Sequence, residues 1–410
     1  MTLREWYGKR ELLVTGVTSD VGRALLEKLL RSFPDAIVYV VLRSRHGFSK
    51  DDRIKQIFVS PRFERLRQTD PGAINRVKPL EGNLQYDGLG MSKEDKDQLS
   101  KVSVAFHAAG PHDAMFEYCL ELPRLETLAA VSSLFRHKGQ INETLQNERV
   151  PDGPIALVRM PLVGPALREP MPGFVDVFKG PTAFMASAGL ALGESGFQAE
   201  IIPIDLTVNT LIAVAWERAT AKDMQGPVVY NAVSIGCTWN ELTKKGSRGN
   251  RKFTYPTFGF RGMTSSPILH WILVVLFEWL PSLLSDTILG LCGAKKRLLR
   301  EHERVRNALR SLESISSRPW SAERNRVYLL QQRLVEEDQD AFPVATEIDI
   351  ESYVLCTAAA AKKHCVDETN VWLVKIFRLL FLLVAAAVLF SSLFFCYRHH
   401  SPNGDHIVGL

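Results

Sequence analysis

The chain of 410 residues carries 50 Lys and Arg against 45 Asp and Glu, a formal net charge of +5, with 46% hydrophobic and 23% charged residues. These fractions exclude wholesale disorder and fibrous repeats, and so small a basic excess does not by itself argue for nucleic acid, which is not an expected partner. The length leaves room for two or three domains, and a mean hydropathy of −0.03 is high for so charged a chain, so apolar residues must be concentrated locally.

The opening, MTLREWYGKRELLVTG, runs through a charged turn into a strand. It has no apolar signal core, so the bulk of the chain is expected to face the cytosol. Residues 12–15 predict a strand, 16–22 a turn, 21–30 a helix by apolar spacing, and 37–42 a second apolar strand. That is one βαβ unit with a right-handed crossover. Further strands are expected at 77–80 and 102–107, which makes residues 1–240 a Rossmann-like, doubly wound α/β domain.

Within that domain IALVRM (155–160) reads as a strand, 161–181 as a Pro/Gly-rich loop and 206–216 as an apolar helix. Beyond Asn240 aromatics and long helical patterns take over, so 241–363 is expected to be a helical C-terminal domain. Its most apolar part, 267–292, contains Glu278, Pro281 and Asp286. These make each half a poor membrane span, and the stretch is expected to be a helix pair broken at Pro281 that lies on a bilayer or lines an apolar pocket. The basic helix that follows, 294–310, suits either an anionic membrane surface or a solvated, ion-paired face. Residues 379–397, LLFLLVAAAVLFSSLFFCY, hold no charge and predict a C-terminal transmembrane helix, with Trp372, Lys375, Arg378 and Arg398 at its edges. The six cysteines are scattered with no C-x-x-C pair, so neither a disulfide framework nor a metal site is expected.

The first turn, T-G-V-T-S-D-V-G, places Gly16 and Gly22 at the outer positions of a dinucleotide-binding glycine motif, with Ser19 in the middle and Val21 opening the helix. Such a turn lets the backbone approach a pyrophosphate, and the helix start supplies N–H donors. At the end of the second strand an acidic residue would select a free ribose hydroxyl. Arg43 and Arg45 stand there instead and favour a 2′-phosphate, hence NADPH.

Residues from one end of the chain to the other then carry a resemblance. TGVTSDVGRALLEKLLRSFPD, VYVVLRSRHG, FVSPRFERLR, VKPLEGNL, VAFHAAG, VRMPLVGPALREPMPGFVDVFKGP, IIPIDLTVN, YPTFGFRGMTSSPILHWILVVLFEWLPSLLSD and ISSRPWSAERNRVYLL occur in order. They resemble the alcohol-forming fatty acyl-CoA reductases, extended short-chain dehydrogenase-like enzymes with a helical C-terminal domain. The resemblance implies NADPH-dependent reduction of a long-chain fatty acyl-CoA to the alcohol, on a membrane facing the cytosol, at the endoplasmic reticulum or a peroxisome. It places Asn83 beside the adenine, where relatives carry an acid. Ala108 and Ala109 leave room for the dinucleotide, and His107 packs beside them.

The same resemblance implies a Ser after one strand and Tyr-x-x-x-Lys on the next helix. Ser132 matches the serine, and Lys138, in a helix expected near 134–148, matches the lysine. Leu134 stands where the tyrosine belongs, and the stretch around 110–140 is shorter than in the family. Phe135, His137 and Tyr118 are the nearby stand-ins. Three readings follow: an internal segment missing from the chain, a relative that binds acyl chains or cofactor without turnover, or a different acid. Arg168, Glu169 and Asp176 are candidates for the CoA side or for a solvated loop, and Asp205 and Asn209 for a helix cap.

Overall fold

The computed structural model describes residues 1–45, 47–109, 113–137, 139–221, 224–250, 260–291, 293, 298–365 and scattered positions between 376 and 394, leaving out the side chains of 247–250. Seven strands form one parallel sheet: β1 (Glu11–Thr15), β2 (Ile37–Leu42), β3 (Val77–Glu81), β4 (Val104–His107), β5 (Thr127–Ser133), β6 (Ile155–Met160) and β7 (Val228–Asn231). Their order is β7-β6-β5-β4-β1-β2-β3, the doubly wound arrangement in which ligands sit outside the carboxyl ends of the strands. The strands read as continuous apolar runs because a parallel sheet is covered on both faces.

The pleat divides each run between two cores. Leu12, Val14, Val104, Phe106, Ala129 and Val158 pack with α1 (Asp20–Ser32) and α3 (Ile204–Thr220). Leu13, Ala105, Leu128, Ala130 and Leu157 pack with α2 (Asp113–Leu120) on the other side. A third apolar cluster joins residues of the 178–242 stretch to α5 (Leu298–Ser316) and α6 (Ile350–Cys365).

Two expectations are corrected. First, the crossover from β5 to β6 contains no helix. It runs through a 3₁₀ turn, Leu134–Arg136, and a two-residue strand, Gln140–Ile141, paired with Ser321–Ala322. The buried Arg159 on β6 fixes that path, because its guanidinium donates to the carbonyls of Asn142 and Thr144, both at 2.7 Å. Asn142, Thr144 and Asn147 also prefer turns to helix interiors. The β5 and β6 residues on the α2 face, Leu128, Ala130, Ile155 and Leu157, are buried all the same.

Second, the apolar stretch is one continuous helix, α4 (Pro267–Leu291), not a broken pair. A π-turn at Val275–Trp279 precedes Pro281, and the Leu280 N–H bonds to the Val275 carbonyl. The register shift accommodates a proline with no N–H to give.

α4 is turned inside out. Glu278, Pro281, Ser282, Ser285 and Asp286 are its buried residues, whereas Ile268, Leu269, Trp271, Ile272, Leu276, Trp279, Leu284, Ile288 and Leu291 are exposed. The buried polar groups tie the helix down. Glu278 accepts from the Leu190 N–H at 3.2 Å and pairs with Arg306 at 3.2 Å, and Asp286 accepts from the first two N–H groups of α5, both at 3.0 Å. The transmembrane stretch 379–397 and its edge residues lie largely outside the described residues. The described positions from 376 to 394 are helical and exposed, Leu379, Leu383, Val384, Phe390 and Phe394 among them.

Candidate active site

At the carboxyl end of β1 the chain turns through Gly16, whose φ is +80°. A Cβ there would lie 2.4 Å from the Ala108 carbonyl oxygen, and one on Gly22 would lie 2.1 Å from that of Gly16. Both glycines are thus required by contact between backbone segments. Ser19 caps α1 by accepting from the Gly22 N–H at 3.0 Å, and its hydroxyl donates to the Ala108 carbonyl at 3.1 Å. The middle position of the motif binds the turn to β4. Val21 opens the helix half-buried beside it. Ala108 is buried, Ala109 half-buried, and His107 packs inside with its Nδ1 2.6 Å from the Thr15 hydroxyl.

Arg43 and Arg45 follow β2, both exposed, and neither forms an ion pair with a described residue. The structure adds Arg53, which donates to the Arg43 carbonyl and whose pKa is lowered by burial and by the charges of Arg43 and Arg45. Three arginines therefore lie near one another at the end of β2. Arg53 lies eight residues past Arg45 on a separate helix, so no motif spacing marks it. Asn83 shapes the next loop, with its Oδ1 accepting from the Gln85 N–H at 3.2 Å and its own N–H bonded to the Leu89 carbonyl at 2.7 Å.

The third part of the site lies beside β5. A cavity of about 490 Å³ is lined by Phe116, Ser132, Arg136, His137, Glu148 and Leu157, among others. Ser132 opposes Arg159 in the β5–β6 register, two residues past the pair that joins His107 and Ala130. This sets Ser132, and the cavity it lines, toward the carboxyl end of β5. Ser132 is 6% exposed and its hydroxyl has no partner among the described residues.

His137 is 3% exposed, with Nε2 2.9 Å from Glu148 Oε1. Arg159 holds both oxygens of Glu148, at 2.6 and 2.9 Å. Burial pushes the Glu148 carboxyl up, but the Arg159 hydrogen bonds and charge and the Gln146 N–H outweigh it, and the pKa falls to about 2. The His137 pKa is lowered by burial and by Arg159, against the pull of Glu148. Lys138 lies outside the described residues. Phe135 stacks edge-on against Trp320, 5.0 Å between ring centres. Tyr118, on α2 itself, is packed in the core, and burial raises its pKa to about 12.

Comparison with known proteins places this architecture. The NAD-binding family described as male sterility protein matches residues 14–123, and the Sterile family, of the same description, matches residues 277–368. Fatty acyl-CoA reductase 1 of Xenopus laevis is 26% identical, covering 90% of this chain and 87% of its own length. The mouse protein of that name is 25% identical, with the same coverage. The chain belongs to the fatty acyl-CoA reductase family.

The alignment with the Xenopus relative runs over 451 positions but uses only 90% of this 410-residue family member. About 80 aligned positions therefore have no counterpart here. Among solved structures, the reductase domain of a non-ribosomal peptide synthetase from Mycobacterium tuberculosis superposes with a TM-score of 0.60 at 15% identity, over 86% of this chain and 92% of that one. The terminal reductase domain of the myxalamid pathway does so at 0.57 and 15%, over 88% and 92%. Both support the Rossmann-like reductase fold.

In this reductase-family member the remaining candidates serve the framework. Glu169 pairs with Lys28 at 2.6 Å and Arg31 at 2.9 Å, and Asp176 with the buried Arg62 at 2.6 Å. Neither is a solvated loop charge; Arg168 alone of the three is exposed. Asp205 does not cap its own helix. It accepts from the N–H groups of Leu167, Arg168 and Glu169 and so closes the neighbouring loop, while Asn209 donates to the Pro343 carbonyl at 3.1 Å.

Proposed function

We propose that the protein reduces long-chain fatty acyl-CoA to fatty alcohol with NADPH, at the cytosolic face of an endoplasmic reticulum or peroxisomal membrane. The observation that carries this reading is the cavity lined by Ser132, toward the carboxyl end of β5 in the same parallel sheet as the glycine turn after β1; the Ser132 hydroxyl has no partner among the described residues. When bound, reduced nicotinamide supplies a hydride for the acyl carbonyl carbon. The Gly16–Gly22 turn gives the pyrophosphate close backbone approach, Ala108 and Ala109 leave space for the dinucleotide, and Asn83 borders the adenine side. Arg43 and Arg45, joined by Arg53, match a 2′-phosphate. Ser132 is positioned to donate to the carbonyl oxygen, and Lys138 is the second candidate of the same segment.

The membrane part of the proposal rests on two features. The outward apolar face of α4 suits the plane of a bilayer interface, and the stretch 379–397 is long enough to span it. The test is purified full chain in detergent with NADPH and a long-chain acyl-CoA, read as fatty alcohol by mass spectrometry. Alcohol formation is expected. NADPH binding without turnover of acyl-CoA would overturn the reading and leave a non-catalytic binding protein.

A further inference from the structure

Two residues that line the β5–β6 cavity carry buried polar atoms with no hydrogen-bond partner among the described residues. The Ser132 hydroxyl and the His137 Nδ1 are both buried and both without partners among the described residues, and both residues line the one cavity. An unsatisfied buried donor costs about 1–3 kcal/mol, so two of them in one cavity call for a ligand that satisfies both. A carbonyl oxygen, which accepts two hydrogen bonds, has that chemistry.

The imidazole is held for the purpose. Its Nε2 has no aligned hydrogen bond either but lies 2.9 Å from Glu148 Oε1, and Arg159 holds both oxygens of that carboxylate while bonding two backbone carbonyls as well. A carboxylate behind one ring nitrogen orients the other toward the reacting group. The resemblance sets Leu134 where the family's acid is expected, and a 3₁₀ turn stands where its helix would begin.

We propose that His137 is the proton donor for carbonyl reduction in this chain, with Ser132 donating to the same oxygen and Glu148 and Arg159 as positioning residues. The inference rests on the reductase reading above. In the aldehyde step the carbonyl carbon gains a hydride from the nicotinamide, which is oxidised. The C=O π pair moves onto oxygen, and that oxygen takes the Nδ1 proton of the imidazolium. The neutral ring regains a proton from water in the cavity. The charged groups facing the ring are Glu148, Arg159, Arg136 and, across the cavity, Asp113 and Arg149. Burial and Arg159 lower its pKa, so the acid form is populated below the ordinary imidazole value of 6.5.

The test has two arms. Without cofactor, a long-chain fatty acid, whose carboxylate accepts from both donors, is titrated by calorimetry. Its affinity is expected to weaken as pH rises through a midpoint below 6.5, and to fall about tenfold in His137→Gln and in Ser132→Ala, a loss of one such hydrogen bond. With NADPH and a long-chain aldehyde, His137→Gln is expected to slow turnover by about 10²–10⁴-fold with NADPH affinity unchanged. The wild-type rate falls with rising pH, and Glu148→Gln moves the midpoint down because a charge that favours the imidazolium is gone. Fatty-acid affinity that is independent of pH between about 5 and 8 overturns the inference, and this arm needs no variant to fold. Wild-type turnover that survives His137→Gln overturns it while leaving the reductase reading intact. A wild-type chain that reduces neither acyl-CoA nor aldehyde refutes both.

Discussion

Replacing Glu148 with Gln tests the buried Arg159–Glu148 pair directly. The Glu148 carboxyl is depressed from 4.5 to about 2 in the folded chain and its side chain is 9% exposed. At 1.36 kcal/mol per unit, that difference is worth about 3 kcal/mol at neutral pH. The folded carboxyl releases its proton more readily than the unfolded one, so this stabilisation is complete above pH 4.5 and disappears as pH falls toward 2. Removing one partner of a buried pair costs about 3–5 kcal/mol by a separate line of reasoning. The amide still accepts one bond from Arg159, so about 3 kcal/mol is the expected loss. For a chain of this size that lowers Tm by about 3–4 °C. Thermal melts of detergent-solubilised wild type and Glu148→Gln should show that gap near pH 7 and roughly half of it near pH 3. A gap under about 1 °C at neutral pH, or one that fails to narrow in acid, would refute the pairing as the source of the depressed carboxyl.

Gly16→Ala combines a positive φ with a Cβ 2.4 Å from a backbone carbonyl; it should abolish NADPH binding or folding, and fluorescence titration showing wild-type affinity would contradict the cradle. Arg43→Ala should weaken NADPH binding about 10–100-fold while leaving NADH nearly unchanged, as the loss of a charge-assisted contact predicts; equal losses for both cofactors would rule out the 2′-phosphate assignment. A chain ending near Asn370 should remain partly membrane-bound through α4 and become extractable without detergent once Trp271→Glu and Leu276→Glu are added; full release by truncation alone would show that α4 does not touch the bilayer.

Much of the sheet was legible from the sequence because a parallel strand buried on both faces leaves an unbroken apolar run, as at Ile37–Leu42 and Ile155–Met160. Gly16 and Gly22 were equally legible, although the structure shows their spacing serving backbone packing as much as ligand approach. Ser19 was not, because its hydroxyl is spent on Gly22 and Ala108. The helix expected after β5 failed for a reason no local window contains. Arg159 lies two turns of crossover away and draws the carbonyls of Asn142 and Thr144 onto itself. Glu148 was likewise missed, since its role appears only when β6 brings a buried guanidinium to it. Pro281 misled in the opposite direction, because a π-turn just ahead of it removes the clash that makes proline a breaker.

α4 turns its carboxylates toward the protein and its tryptophans and leucines outward. An enzyme held along such a surface meets its acyl substrate in two dimensions. Its rate then follows the mole fraction of substrate among the surrounding lipids, not the amount per volume of solution. Diluting the same acyl-CoA into more vesicles would slow turnover with every concentration in the tube unchanged, and the fatty alcohol would leave sideways into lipid without crossing water.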